Sequence, residues 1–146
     1  MSSLLRRLLY ISRIGEEVTD TSLRRIVASA QMNNRRNDIS GVLALAPGLF
    51  AQVLEGSPDA VGQTLQRIRK DPRHDDLLVV DDTTTEHRFF DRWSMELLVD
   101  DISAELTVAV RDGLREGHEL VAHLRDQHAK DPVWWPSAMK TLALSA

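Results

Sequence analysis

Between Asp38 and Gly56 the chain reads DISGVLALAPGLFAQVLEG, and Gln52 stands there as a neutral amide among large apolar neighbours. The run reads as two strands, Ile39 to Ala46 and Leu49 to Leu54, joined at Pro47-Gly48, a dipeptide that favours a tight turn and so makes a hairpin. Side chains alternate across a strand, which puts Gln52 on the same face as Phe50 and Leu54. A primary amide on such a face has two donors and an acceptor to satisfy, and leaving them unpaired costs about 1–3 kcal/mol. Gln52 is therefore either satisfied by its own fold or placed to meet a ligand.

Other candidate chemistry is weaker. HELVAH, from His118 to His123, resembles the zinc-protease pattern HExxH but has one residue too many between its histidines. At about 100° per residue, the second ring points roughly 140° from the first, which speaks against a metal site there. Arg73-His74 after Pro72 suits an acid–base site or an exposed charge at a helix-ending turn. Neither GxGxxG nor GxxxxGK[ST] occurs, and Ser40-Gly41 and Gly56-Ser57 are too short to be nucleophile elbows. Cysteine is absent, which removes disulfides, thiolate nucleophiles and cysteine metal sites. What remains is a set of neutral polar groups, Tyr10, Asn33, Asn34 and Gln52, with Trp93 and Met95 nearby if the expected strand order holds.

The elements that must position them can be read in order. Leu4 to Ser12 suits a strand with Leu8, Tyr10 and Ser12 on one face and Leu9 and Ile11 on the other. Asp20 to Ser22 offer N-caps for a helix whose Leu23, Ile26, Val27 and Ala30 form one buried stripe. That helix ends in Asn33 to Asp38, a cluster too polar for a buried helix end. After the hairpin, Ser57-Pro58 starts a second helix, with Val61, Leu65 and Ile68 inward and Pro72 as the stop. Leu77 to Val80 is a short apolar strand, and Phe89 to Val99 contains another in which Trp93, Met95 and Leu97 alternate on one face. This order gives an α+β, ferredoxin-like βαββαβ plan with a fifth strand and two helices on one side.

Residues 1–100 read as one domain and 101–146 as a helical extension. In the extension Val110, Leu114, Gly117, Val121 and Leu124 form a seam that suits docking on the open sheet face or pairing with a second chain. Gly113 and Gly117 each cost a helix about 1 kcal/mol relative to alanine, which leaves room for two helices with a joint. The aromatic pair Trp134-Trp135 is expected to pack back on the domain. A length of 146 residues suits a single core, and a net charge of −4 with interspersed signs gives no reason to expect a nucleic-acid surface. No apolar run approaches a membrane span, so a cytoplasmic protein is expected.

The segments LLYIS around Tyr10, NNRRNDISGVL from Asn33, LFAQVLEG around Gln52, IRKDPRH from Ile68 and FFDRWSM ending at Met95 together resemble the BLUF family, blue-light sensors using FAD. They run in order from about Leu5 to Asp100, with the terminal helices outside them, as in short stand-alone members. The resemblance implies a flavin ring between the two sheet-facing helices. It makes Tyr10 the phenol beside the flavin and Gln52 the amide bridging that hydroxyl to the ring's N5 and O4 edge. Asn34, with Asn33 beside it, takes the pyrimidine end of the ring, and Arg67 and Asp71 match positions that reach the ring edge or side chain. Arg73 and His74 fall in the same matched segment and are counted with the cofactor-binding residues. Trp93 and Met95 match the fifth-strand pair that relays the rearrangement of Gln52. A homo-oligomer and a downstream signalling protein are expected, with no enzymatic activity.

Taken one at a time these residues have plainer readings. Trp93 and Met95 suit an ordinary core, Asn33-Asn34 a helix end, Arg67 with Asp71 an exposed i,i+4 pair and Tyr10 a core tyrosine. The joint occurrence of Tyr10 and Gln52 favours a ligand. Ala44, Ala46 and Ala51 are small where the family is commonly bulky, and they are expected on the face opposite the flavin. The alternatives are a ferredoxin-like binding module without photochemistry and, behind it, a small enzyme using Tyr10, Arg73 and His74.

Overall fold

Leu8 and Tyr10 face one way and Leu9 and Ile11 the other along β1 (Leu5–Ile14), and all four are fully buried, so this strand has a core on each side. A computed structural model describes residues 4–14, 20–72, 74–91 and 95–130. After β1 come α1 (Asp20–Arg36), β2 (Ser40–Ala46), β3 (Leu49–Gly56), α2 (Pro58–Lys70), β4 (His74–Thr85), β5 (Glu96–Leu98), α3 (Asp101–Arg111) and α4 (Gly117–Ala129). The sheet runs β4-β1-β3-β2-β5. Its first four strands are antiparallel neighbours in the ferredoxin-like order, and β5 adds to β2 in parallel.

Each sheet face is covered by a helix pair. Leu23, Ile26 and Val27 of α1 and Val61 and Leu65 of α2 pack on Leu8, Leu43, Phe50 and Leu54. On the other face Val110 of α3 and Leu120, Val121 and Leu124 of α4 pack on Leu9, Ile11, Val42 and Val53. The expected seam thus docks on the chain's own sheet. Ala44 and Ala51 lie beneath it, where small side chains let the helices approach.

Local signals set most of the boundaries. Gly48 takes a φ of 72°, which a residue without Cβ adopts freely, and this closes the hairpin. Ser57 caps α2, its Oγ accepting from the N–H of Ala60 at 3.2 Å, with Pro58 at the first helical position. Helix α1 runs on through Asn33 and Asn34 and stops only where Asp38 turns to a φ of 54° and the Ile39 N–H reaches the Asn34 carbonyl at 2.8 Å. Asn34 is buried despite its polarity, contrary to the expected exposed end, because it faces a cleft between the helices.

Three expectations change with tertiary context. β4 has twelve residues instead of the short Leu77 to Val80 run, because β1 pairs with its whole length and its aspartates sit on an open sheet edge. β5 has only three residues. Phe89 and Phe90 are held out of the sheet by the buried carboxylate of Glu55, which accepts their N–H groups at 2.8 and 2.6 Å and pairs with Arg7 at 2.7 Å. The terminal seam divides into two helices, as its glycines allowed, with Gly113 at φ 79° ending the first, but Leu114, expected within the seam, is 77% exposed in the joint. Gly117 opens α4 for a different reason, since a Cβ there would stand 2.1 Å from the Val80 carbonyl oxygen. Trp93, Trp134 and Trp135 lie outside the described residues.

Candidate functional site

Pairing of β1 with β3 sets Tyr10 directly opposite Gln52. Both side chains belong to the face beneath α1 and α2, and the Tyr10 hydroxyl donates to Oε1 of Gln52. At its other end Nε2 of Gln52 donates to Sδ of Met95 at 3.6 Å. The Met95 carbonyl in turn accepts from Nε2 of Gln31 at 3.2 Å, which ties the segment before β5 to α1. Phenol, amide and thioether thus form one chain of contacts from the middle of the sheet to its edge. The amide's carbonyl has a strong donor, whereas its nitrogen faces a weak sulfur acceptor, so the two ends of Gln52 are held unequally.

Burial pushes the Tyr10 phenol well above its ordinary pKa, and the negative charge of Asp71 adds to the effect. Tyr10 accordingly stays protonated and remains a hydrogen-bond donor throughout the physiological range.

Above Gln52 a cleft opens between α1 and α2. Leu43, Phe50 and Gln52 form its floor; Ile26, Ala30, Asn33 and Asn34 line one wall, and Thr64, Arg67, Ile68 and Asp71 the other. An apolar floor with amide, hydroxyl, guanidinium and carboxylate groups around it suits a flat ring with polar edges. The hydroxyl of Thr64 supplies an independent sign of fit: it is buried, borders the cleft and has no hydrogen-bond partner among the described residues.

The sequence-expected residues fall into three groups. Asn33, Asn34, Gln52, Arg67 and Asp71 border the cleft. Tyr10 and Met95 stand behind it and join it through Gln52. Arg73 lies outside the described residues, as Trp93 does, and His74 opens β4 with its backbone opposite Ile14. Sequence reading passed over Thr64 and Ser29. The available signal was helical spacing, since Thr64, Arg67 and Asp71 recur at intervals of three and four, as do Ile26, Ser29 or Ala30, and Asn33.

The histidines of HELVAH diverge: His118 is exposed, whereas Nε2 of His123 sits 3.0 Å from Oγ of Ser103 and 3.5 Å from Asp100. This serine, histidine and aspartate do not form a nucleophilic triad. Ser103 is fully buried, and Asp100 binds its hydroxyl and faces the same ring nitrogen. Among the described residues no group of histidine and acidic side chains could hold a metal ion, and no helix is long and apolar enough to cross a membrane.

Fold and site together define a small α+β ligand-binding domain with a phenol–amide pair under its ligand cleft. The model of the BLUF family, sensors of blue-light using FAD, matches residues 5–96. The chain belongs to that family, and is a blue-light photoreceptor that uses FAD. Photoactivated adenylate cyclase subunit beta of Euglena gracilis is 34% identical over 101 residues, which are 68% of this chain and 12% of that protein, so the chain spans only a small part of such relatives. Among solved structures, the photo-activated state of BlsA superposes with a TM-score of 0.74 at 28% identity, covering 88% of this chain and 98% of that one. The dark state of the BLUF protein BlrB gives 0.72 at 27% identity, covering 86% and 96%.

Proposed function

We propose that Tyr10, Gln52 and Met95 are the photochemical relay of this sensor and that Asn33, Asn34, Thr64, Arg67 and Asp71 hold its flavin, with Arg73 and His74 beside them in the chain. The observation that carries this reading is the position of Gln52, on the floor of the cleft with Tyr10 at one end of its amide and Met95 at the other. When bound, FAD supplies a ring that absorbs blue light and, once excited, accepts one electron. Tyr10 is the donor. A phenol that has lost an electron is strongly acidic, so its proton leaves along the hydrogen bond to Oε1 of Gln52. Asp71 favours the oxidation step, since a nearby negative charge makes an electron easier to remove.

Protonated at its oxygen, the Gln52 amide no longer has a fixed donor end and acceptor end. It turns over or tautomerises, and its weak contact to Met95 is the one lost. Return of the electron and proton to Tyr10 leaves the phenol as it began and the amide rearranged. The rearranged Gln52 would then present a changed hydrogen-bond pattern to a bound flavin, giving a slight red shift in absorption until Gln52 relaxes in the dark. Met95, with Trp93 two residues before it, passes the change to the helical extension, residues 101–146, while residues 1–100 form the photosensory unit. Met95 suits this role because its side chain is flexible and repacks easily.

The chain acts as a cytoplasmic, non-enzymatic sensor on a separate signalling protein, and assembles with copies of itself. Spectra taken in the dark, after blue light and during recovery test the relay. The expected result is a reversible red shift that Gln52→Ala abolishes while retaining flavin. A shift that persists in Gln52→Ala, or a protein that takes up no flavin, overturns it.

A further inference from the structure

The geometry points to the buried contact between Glu96 and His128 as the link that carries the light signal from the switch segment to α4, an inference that rests on the photochemical reading above. Met95, just before β5, packs with Leu97 in the core on the cleft side, whereas Glu96, the first residue of β5, alternates with Leu97 and shares the opposite face with Leu98. Met95 meets Gln52 on the cleft side. Glu96, on the other side, hydrogen-bonds through Oε2 to Nδ1 of His128 near the end of α4. One residue of backbone therefore separates the group that senses Gln52 from the group that grips the terminal helix.

This grip is buried and, among the described residues, incompletely satisfied. Glu96 is 3% and His128 5% exposed, yet Oε1 of Glu96 and Nε2 of His128 have no hydrogen-bond partner there. Asp91 stands 3.6 Å from that nitrogen, and Phe90 meets the ring edge to face at 5.4 Å between centroids. A buried polar pair with unused donor and acceptor atoms is sensitive to small displacements, because low local dielectric magnifies each change of geometry.

A second tie lies four residues on. Asp100 caps α3 and faces His123, so α4 meets both ends of the β5 segment through a histidine set on a carboxylate. Among the described residues β5 itself is held in the sheet by three residue pairs with β2, at an edge. A strand so lightly held, gripped by α4, transfers its movement to that helix. Glu96 and His128 touch neither the cleft nor Gln52, which makes them positioning residues for the output.

Amide hydrogen exchange of the FAD-loaded chain, in the dark and under blue light, tests this. In the natural protein, illumination is expected to change exchange in the last two turns of α4 at least about threefold. Glu96→Gln should keep the reversible red shift and lose that change. His128→Gln should behave in the same way, and a light-minus-dark infrared spectrum should contain a carboxylate band that Glu96→Gln removes. Where the single variants do not fold, replacing Glu96 and His128 together by leucine removes both partners and carries the same expectation. An unchanged exchange response in a variant that still shifts red, or no response of α4 in the natural protein, overturns the link and leaves the relay standing. Absence of any red shift in the natural protein overturns the relay, and this inference with it.

Discussion

Tyr10 and Thr64 are two buried hydroxyls with opposite circumstances. Tyr10 has its partner in Gln52 and is kept protonated by burial, so its role depends on the hydroxyl and not on the ring. Tyr10→Phe is expected to keep the fold and the flavin and to lose the red shift, as read by absorption before and after illumination. Thr64 lacks a partner among the described residues. Thr64→Val preserves shape while removing the unpaired group, so the flavin-free protein should unfold at the same temperature or higher. If the hydroxyl bonds the flavin, the variant's flavin dissociation constant should rise by roughly fivefold to tenfold, equivalent to about 1 kcal/mol. Thermal melts and flavin titration read the two effects separately.

At the scale of elements, the start of α3 and the start of α4 carry the clearest expectations. Asp100 caps α3 through the Ser103 N–H at 2.7 Å and the Ser103 hydroxyl at 2.6 Å. Burial alone raises its pKa, but the hydrogen bonds from Ser103 and the approach of His123 outweigh that and hold it below the ordinary aspartate value. A depressed carboxylate adds stability that is complete above the unfolded-chain pKa of about 3.9 and fades as pH falls through the folded value. Asp100→Ala should therefore cost about 1 kcal/mol at neutral pH, with the deficit shrinking in acid, as followed by denaturant unfolding at several pH values. Gly117→Ala places a methyl group against the Val80 carbonyl, and a backbone atom cannot swing away. It should cost about 2 kcal/mol and shift α4. Gly113→Ala has open space but a φ of 79°, so its cost, about 1 kcal/mol, should come without any movement of α4.

For the whole molecule, the decisive feature is a sheet with two cores. Leu9, Ile11, Val42 and Val53 are buried only because α3 and α4 lie over them. Burying each such side chain contributes about 1.5–3 kcal/mol, so a chain ended at Asp100 would expose an apolar face too large for a stable monomer. Such a truncated chain is expected to aggregate or to lose cooperative unfolding, measurable by light scattering and calorimetry. Under the proposed reading, the same arrangement puts the photochemistry on one face and the output on the other, with β5 as the strand common to both.

The features legible from residue order alone were local. Alternation fixed the two faces of β1, Ser57-Pro58 fixed the start of α2, Pro47-Gly48 fixed the hairpin, and five short segments identified the family. Each of these depends on neighbours in the chain or on a run of residue types, which is what a sequence displays. The tertiary structure decided the rest. It lengthened β4 by pairing it with β1, and it shortened β5 because Glu55, far away in the chain, takes the N–H groups of Phe89 and Phe90. It also buried Asn34, left Thr64 unpartnered beside the cleft and joined Glu96 to His128. These are contacts between residues remote in sequence, and their energies depend on burial and partner geometry, neither of which a residue's own neighbours reveal.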